Sequence, residues 1–166
     1  NAAPCVAPDG SVLLLYKSTA REGDTLKYGV ARAAHFRGPY ERVGGEPIKW
    51  SDDPRISYED AFIWREGGEY RMIFNDMTGR LTGEDHAGGY AVSADGVRWT
   101  LGNPPKAYSR WVRWDDGTEV VQGSFERPQL ILQNGRPTHL IGATADGPGG
   151  FARASHTWST VIPLRP

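Results

Sequence analysis

The chain has 166 residues, enough for one domain with a sizeable core, and its 39% apolar and 23% charged content is that of a globular protein rather than a disordered one. The 19 basic and 20 acidic residues are intermixed and leave a formal charge of −1, which argues against a nucleic-acid binder and fits a neutral ligand. No apolar run approaches the roughly 18 residues of a membrane span, so no membrane partner is expected, and the single Cys5 excludes an intrachain disulfide or a cysteine metal cluster. No signal peptide is read at the start, and localisation stays open.

With 21 Gly and 12 Pro, breakers recur along the chain and no stretch carries a helical period of any length, which predicts an all-β fold. "VLLLYKS" follows Asp9-Gly10, and "LKYGVARA" and "PYERV" come next as further strands. "YEDAFIW" and "YRMIFNDM" flank Gly67-Gly68, followed by "GGYAVSA" and "VRWTL" around Asp95-Gly96. "FERPQLIL" and "THLIGAT" flank Asn134-Gly135, and "SHTWST" is a candidate closing strand. Such dipeptides supply the positive φ angles that tight hairpin turns need.

Setting Pro4, Ala61 and Pro128 in register gives repeat steps of 57 and 67 residues and aligns Gly10, Gly67 and Gly135 to within one position. The repeat units therefore start near residues 1, 58 and 125 of a single domain spanning 1–166. Units of about four strands at this spacing predict a β-propeller of four-stranded antiparallel blades. The chain holds roughly two and a half of them, fewer than the four of the smallest typical ring. Either a homodimer or a missing N-terminal half is expected to complete it.

In a propeller the innermost strands converge on a central channel, so polar residues at the same repeat position point at one pocket. Those positions hold Asn1, then Glu59 and Asp60, then Glu126 and Arg127. Carboxylates facing one another across a pocket suit glycoside hydrolysis, where one protonates the leaving oxygen while the other drives water or attacks. Arg127 would orient a sugar hydroxyl or hold a neighbouring acid ionised. The blander alternative is an ion-paired channel lining that only registers the blades. The long loop "NDMTGRLTGEDHAGGY" adds Asp76, either a pocket residue or a turn cap, and His86, which could exchange a proton near neutral pH. His35, His139 and His156 lack metal-ligand spacing and read as structural. The candidates are thus Glu59, Asp60 and His86 for catalysis and Asn1, Asp76, Glu126 and Arg127 for substrate. No cofactor is expected, a Ca2+ ion in the channel being the one metal the carboxylates would admit.

With the repeat in register, "NAAPCVAPDGSVLLLYKS", "YEDAFIW", "HAGGYAVSADGVRWT" and "ERPQLI" resemble the five-bladed β-propeller glycoside hydrolases, nearest to family 43-like proteins. The resemblance covers almost the whole chain and places it as the C-terminal half of such an enzyme. It implies an inverting exo-hydrolase acting on terminal sugars such as arabinofuranosides or xylosides, with an Asp base from the first blade, an Asp that tunes pKa and a Glu acid from later blades. The first-blade Asp has no counterpart here, and Glu59 is the position onto which the acid falls; the His acid of related families keeps His86 beside it. Two other readings stand next to the glycosidase: a carbohydrate-binding propeller module without chemistry, and a structural fragment without ligand.

Overall fold

The computed structural model describes residues 1–164. Thirteen strands form the structure, and among the described residues the only helical segment is a single 3-10 turn, Phe151–Arg153. Strands β1 (Ala2–Val6), β2 (Val12–Ser18), β3 (Lys27–Ala33) and β4 (Glu41–Val43) make one four-stranded antiparallel meander. Strands β5 (Tyr58–Glu66), β6 (Glu69–Asp76), β7 (Ala87–Ser93) and β8 (Thr100–Tyr108) make a second. A two-stranded hairpin, β9 (Trp111–Arg113) and β10 (Glu119–Val121), leads into a third sheet of β11 (Ser124–Gln133), β12 (Arg136–Ala145) and β13 (Thr157–Pro163). The "SHTWST" segment thus supplies the start of β13, which pairs with β12 of the same sheet. The small hairpin is not foreseen from the sequence.

Alternation along the strands sends one set of side chains into each inter-sheet layer. Leu13, Leu15, Tyr28 and Val30 of the first sheet meet Tyr58, Ile63, Met72 and Phe74 of the second. Trp50, from the connection between them, stacks on Phe74 at 4.8 Å and donates its indole N–H to the Trp99 carbonyl at 3.0 Å. Trp64 and Ile73 of the second sheet meet Phe125 and Leu140 of the third. Within the third sheet the Phe125 ring of β11 lies directly over Gly142 of β12, where an added Cβ would be 1.9 Å from it.

The first strands of the three sheets are neighbours, β1 beside β5 and β5 beside β11. Sheets packed face to face with their first strands gathered on one line have the arrangement of partial propeller blades. All three first strands begin at the same end, and their hairpin turns lie at the other. The outer layers have no partner within the described residues: Val6 is 62% exposed on the first sheet, and Ile131 and Val161 are 45% and 53% exposed on the third.

Candidate active site

The site lies where β5 and β11 begin, and both strands carry the same irregularity there. The β5–β6 register shifts between Glu59 and Phe62, and the β11–β12 register shifts between Glu126 and Gln129. In each bulge the residue after the glutamate turns into the left-handed region, Asp60 at φ 58° and Arg127 at φ 53°. A bulge leaves one residue unpaired and re-aims its neighbours, and Glu59, Asp60 and Glu126 each bring a carboxylate oxygen within 4.8 Å of the others. It is the one such group among the described residues.

Each carboxylate has its own partner. Lys17, near the end of β2, ion-pairs with Glu59. The Asn1 side chain donates to Asp60 Oδ1, and Ser124 Oγ donates to Glu126 Oε1. Asp60 is only 5% exposed, so burial pushes its carboxyl above the ordinary range, and the Glu59 charge adds to the shift, while Lys17 and Arg127 oppose it. Burial, followed by the charges of Asp60 and Glu126, likewise raises the Tyr108 hydroxyl. Asn75, fully buried in β6 opposite Glu59, has no protein partner for its side-chain amide among the described residues.

Two hollows open on this cluster. One, of about 410 Å³, is lined by His86, Arg110 and Glu126, with Gly149, Gly150 and Phe151 on its wall. The other, of about 530 Å³, is lined by Asn1, Asp60, Arg127 and Gln129. A larger hollow of about 820 Å³, lined by Tyr16, Lys27, Gly29 and Arg42 among others, contains none of the three carboxylates.

His86 holds φ 56°, and its Nδ1 stands 3.7 Å from Glu126 Oε1. The loop that carries it is wound around Asp76, which corrects the expectation that Asp76 binds substrate. Its carboxylate is fully buried, with Oδ2 accepting from Leu81 N at 2.8 Å, Thr82 N at 2.9 Å and Thr82 Oγ1 at 3.0 Å, and Oδ1 accepting from Thr78 N at 3.3 Å. Asp76 is the turn cap. Glu84 anchors the other side of the same loop, accepting from Ser109 Oγ at 2.7 Å and Arg110 N at 3.0 Å. Burial works to raise its carboxyl, but those bonds and Lys106 outweigh it and hold it below the usual range.

Six of the seven sequence candidates therefore gather here: Glu59, Asp60 and Glu126 with Asn1, Arg127 and His86. Lys17, Arg110 and Ser124 were not among them. Lys17 was recoverable in principle, since its strand β2 is the hairpin partner of the one that Asn1 leads into. Arg110 and Ser124 carry no repeat signal.

A divalent cation would find oxygen ligands at the three carboxylates, although the Lys17 ammonium already supplies positive charge at Glu59.

No family model matches the chain, and no curated protein matches it in sequence. Solved structures do match in fold. The BT0996 protein, in its RGII complex, is 14% identical with a TM-score of 0.66, over 100% of this chain and 46% of its own length. A thermostable family-43 glycoside hydrolase is 17% identical with a TM-score of 0.60, over 99% and 54%. A further glycoside hydrolase is 14% identical with a TM-score of 0.65, over 100% and 46%. The chain spans about half the length of these proteins, and over that span it has the fold of the glycoside hydrolases, a family-43 enzyme among them.

Proposed function

We propose that the chain is the acid-bearing part of a glycoside hydrolase that removes terminal sugars from oligosaccharides or polysaccharides by carboxylate catalysis. The observation that carries this reading is the meeting of Glu59 and Asp60 from one sheet with Glu126 from the next, oxygens within 4.8 Å, beside open hollows. Glu59 is paired with Lys17. Glu126 faces the hollow and is the proton donor. Asp60, whose carboxyl burial raises above the ordinary range, keeps the local negative charge down and tunes the pair.

The spacing bears on stereochemistry. Inverting enzymes keep their carboxyl groups about 6.5–9.5 Å apart to admit a water, whereas retaining ones keep them about 5–5.5 Å apart. The 4.8 Å separation is that of the nearest oxygens of three groups rather than of a catalytic pair, and the inverting route that the family-43 resemblance implies is kept. On that route Glu126 protonates the departing oxygen while Glu59 takes a proton from the water that attacks the anomeric carbon on the opposite face. The test is turnover of 4-nitrophenyl glycosides, arabinofuranosides and xylosides first, with the first-formed anomer read by proton NMR. RGII, with which the BT0996 structure is in complex, belongs in the substrate panel. A retained first product would overturn the inverting route, and absence of turnover across the panel would overturn the enzyme reading.

A second reading is a carbohydrate-binding module without chemistry, which the Lys17 ammonium engaging Glu59 favours. Under either reading the open outer layers of the first and third sheets call for further blades, from a second copy or from additional chain.

A further inference from the structure

The β9–β10 hairpin stands at the same end as the carboxylates. It is inserted between the last strand of the second sheet and the first strand of the third, and its base is part of the site. Arg110, just before it, and Gly123, just after it, line the hollow that Glu126 and His86 share. Gln122 N donates to the Arg110 carbonyl at 2.9 Å, and Trp111 N donates to Ser109 Oγ at 3.0 Å, the hydroxyl that also holds Glu84. The hairpin is therefore tied to the site's own scaffold.

Its two faces differ. Val112 is buried at 6% and anchors one face to the body of the protein, beside its cross-strand partner Val120 at 44% exposed. On the other face Trp111 and Val121 are directly paired across the strands, and both face solvent, 59% and 58% exposed. Arg113 and Glu119, the next pair on that face, are exposed too. The result is a small apolar platform bordered by one cation and one anion, with Phe151 on the wall of the adjoining hollow. A lipid surface or a protein core would need a wider apolar patch. A pyranose or furanose ring offers the matching chemistry: an apolar C–H face for the flat indole, and hydroxyls at its edge for Arg113 and Glu119.

We propose that Trp111, backed by Val121, is a stacking platform for a sugar ring of the substrate chain beyond the bond cleaved at Glu126, which makes the substrate an oligosaccharide rather than a simple glycoside. The proposal rests on the glycosidase reading and adds substrate length to it. A platform remote from the reacting atoms binds ground state and transition state alike, so its removal raises KM with little change in kcat.

The test compares arabinotetraose and xylotetraose with the corresponding 4-nitrophenyl glycosides, on the parent chain and on Trp111→Ala and Trp111→Phe. Expected is a fall of about 3- to 10-fold in the tetrasaccharide-to-aryl-glycoside ratio of kcat/KM for Trp111→Ala, carried by KM, with the ratio largely restored in Trp111→Phe. An unchanged ratio in Trp111→Ala overturns the platform and leaves the glycosidase reading standing. A parent chain that neither cleaves nor binds any of the four probes, by calorimetry, overturns both.

Discussion

Asp60 and Arg127 occupy equivalent places in two different sheets: each follows a glutamate, each holds a left-handed backbone angle, and each sits in the bulge that opens its first strand. One bears a negative side chain and the other a positive one, so the same backbone device delivers two acids from one sheet and an acid with a cation from the next. Non-glycine residues adopt this conformation uncommonly, and two occurrences at matching positions mark a repeated local structure.

Removing the charge at either glutamate should abolish turnover without unfolding the chain. Glu126→Gln and Glu59→Gln are each expected to lower kcat on a 4-nitrophenyl glycoside about 10²–10⁴-fold, with the β-type circular dichroism spectrum unchanged. A fully active Glu59→Gln would shift the role to Asp60 or His86.

Asp60→Asn should make the protein more stable at neutral pH. A carboxyl raised in the folded state binds its proton more tightly there than in the unfolded chain, so stability falls as pH rises from about 3.9 through the raised folded value. Asparagine never ionises, tolerates the positive φ, and keeps a carbonyl for the Asn1 amide. Thermal melts should show Asp60→Asn above the parent at pH 7 and level with it at pH 3. An equal Tm at both pH values would contradict the shift.

Asp76→Ala should cost about 3 kcal/mol, because it strands the Leu81 and Thr82 amides that its carboxylate now satisfies. The loop that ends at His86 loses its centre, so urea denaturation should show the loss of stability together with faster amide exchange across residues 78–86. A variant as stable as the parent would mean that water replaces the carboxylate without penalty.

Gly142→Ala tests the packing of the Phe125 ring across its own sheet, from β11 onto β12. The added methyl would meet the Phe125 ring at 1.9 Å, and overpacking of this kind costs about 1–3 kcal/mol. A matched Gly142→Ala/Phe125→Leu double variant should recover part of the loss, measured by denaturant midpoint.

Assembly is tested by light scattering at micromolar concentration. The exposed apolar residues on the outer sheets predict self-association, with a particle of about twice the 18.3 kDa chain mass. A monodisperse monomer with a cooperative melt would refute the need for a second copy.

The hairpin glycines and the alternation of short apolar runs made the first two sheets legible in the sequence, since turn chemistry and period are local properties. The register of Pro4, Ala61 and Pro128 placed Glu59, Asp60, Glu126 and Arg127 together for the same reason: a repeat converts sequence position into spatial position. The bulges were not legible, because a bulge depends on how the partner strand pairs. Nor was the role of Asp76, whose bonds run to backbone amides that carry no side-chain signature, nor the β9–β10 hairpin, whose three-residue strands are too short to show a period. Lys17 was missed because its importance lies in the neighbouring sheet's glutamate.

The separation between the two ends of the sheets has a practical consequence. The carboxylates sit where β5 and β11 start, and the turns at Asp9-Gly10, Gly67-Gly68 and Asn134-Gly135 lie a full strand length away, with neither hollow of the site reaching them. Exposed turn tips of this type tolerate inserted sequence well. A fluorophore, an affinity handle or a surface tether placed at Gly68 or Gly135 would orient the molecule with its carboxylate end toward solution, and pairs of labels there would report the angle between neighbouring sheets without touching the carboxylate cluster.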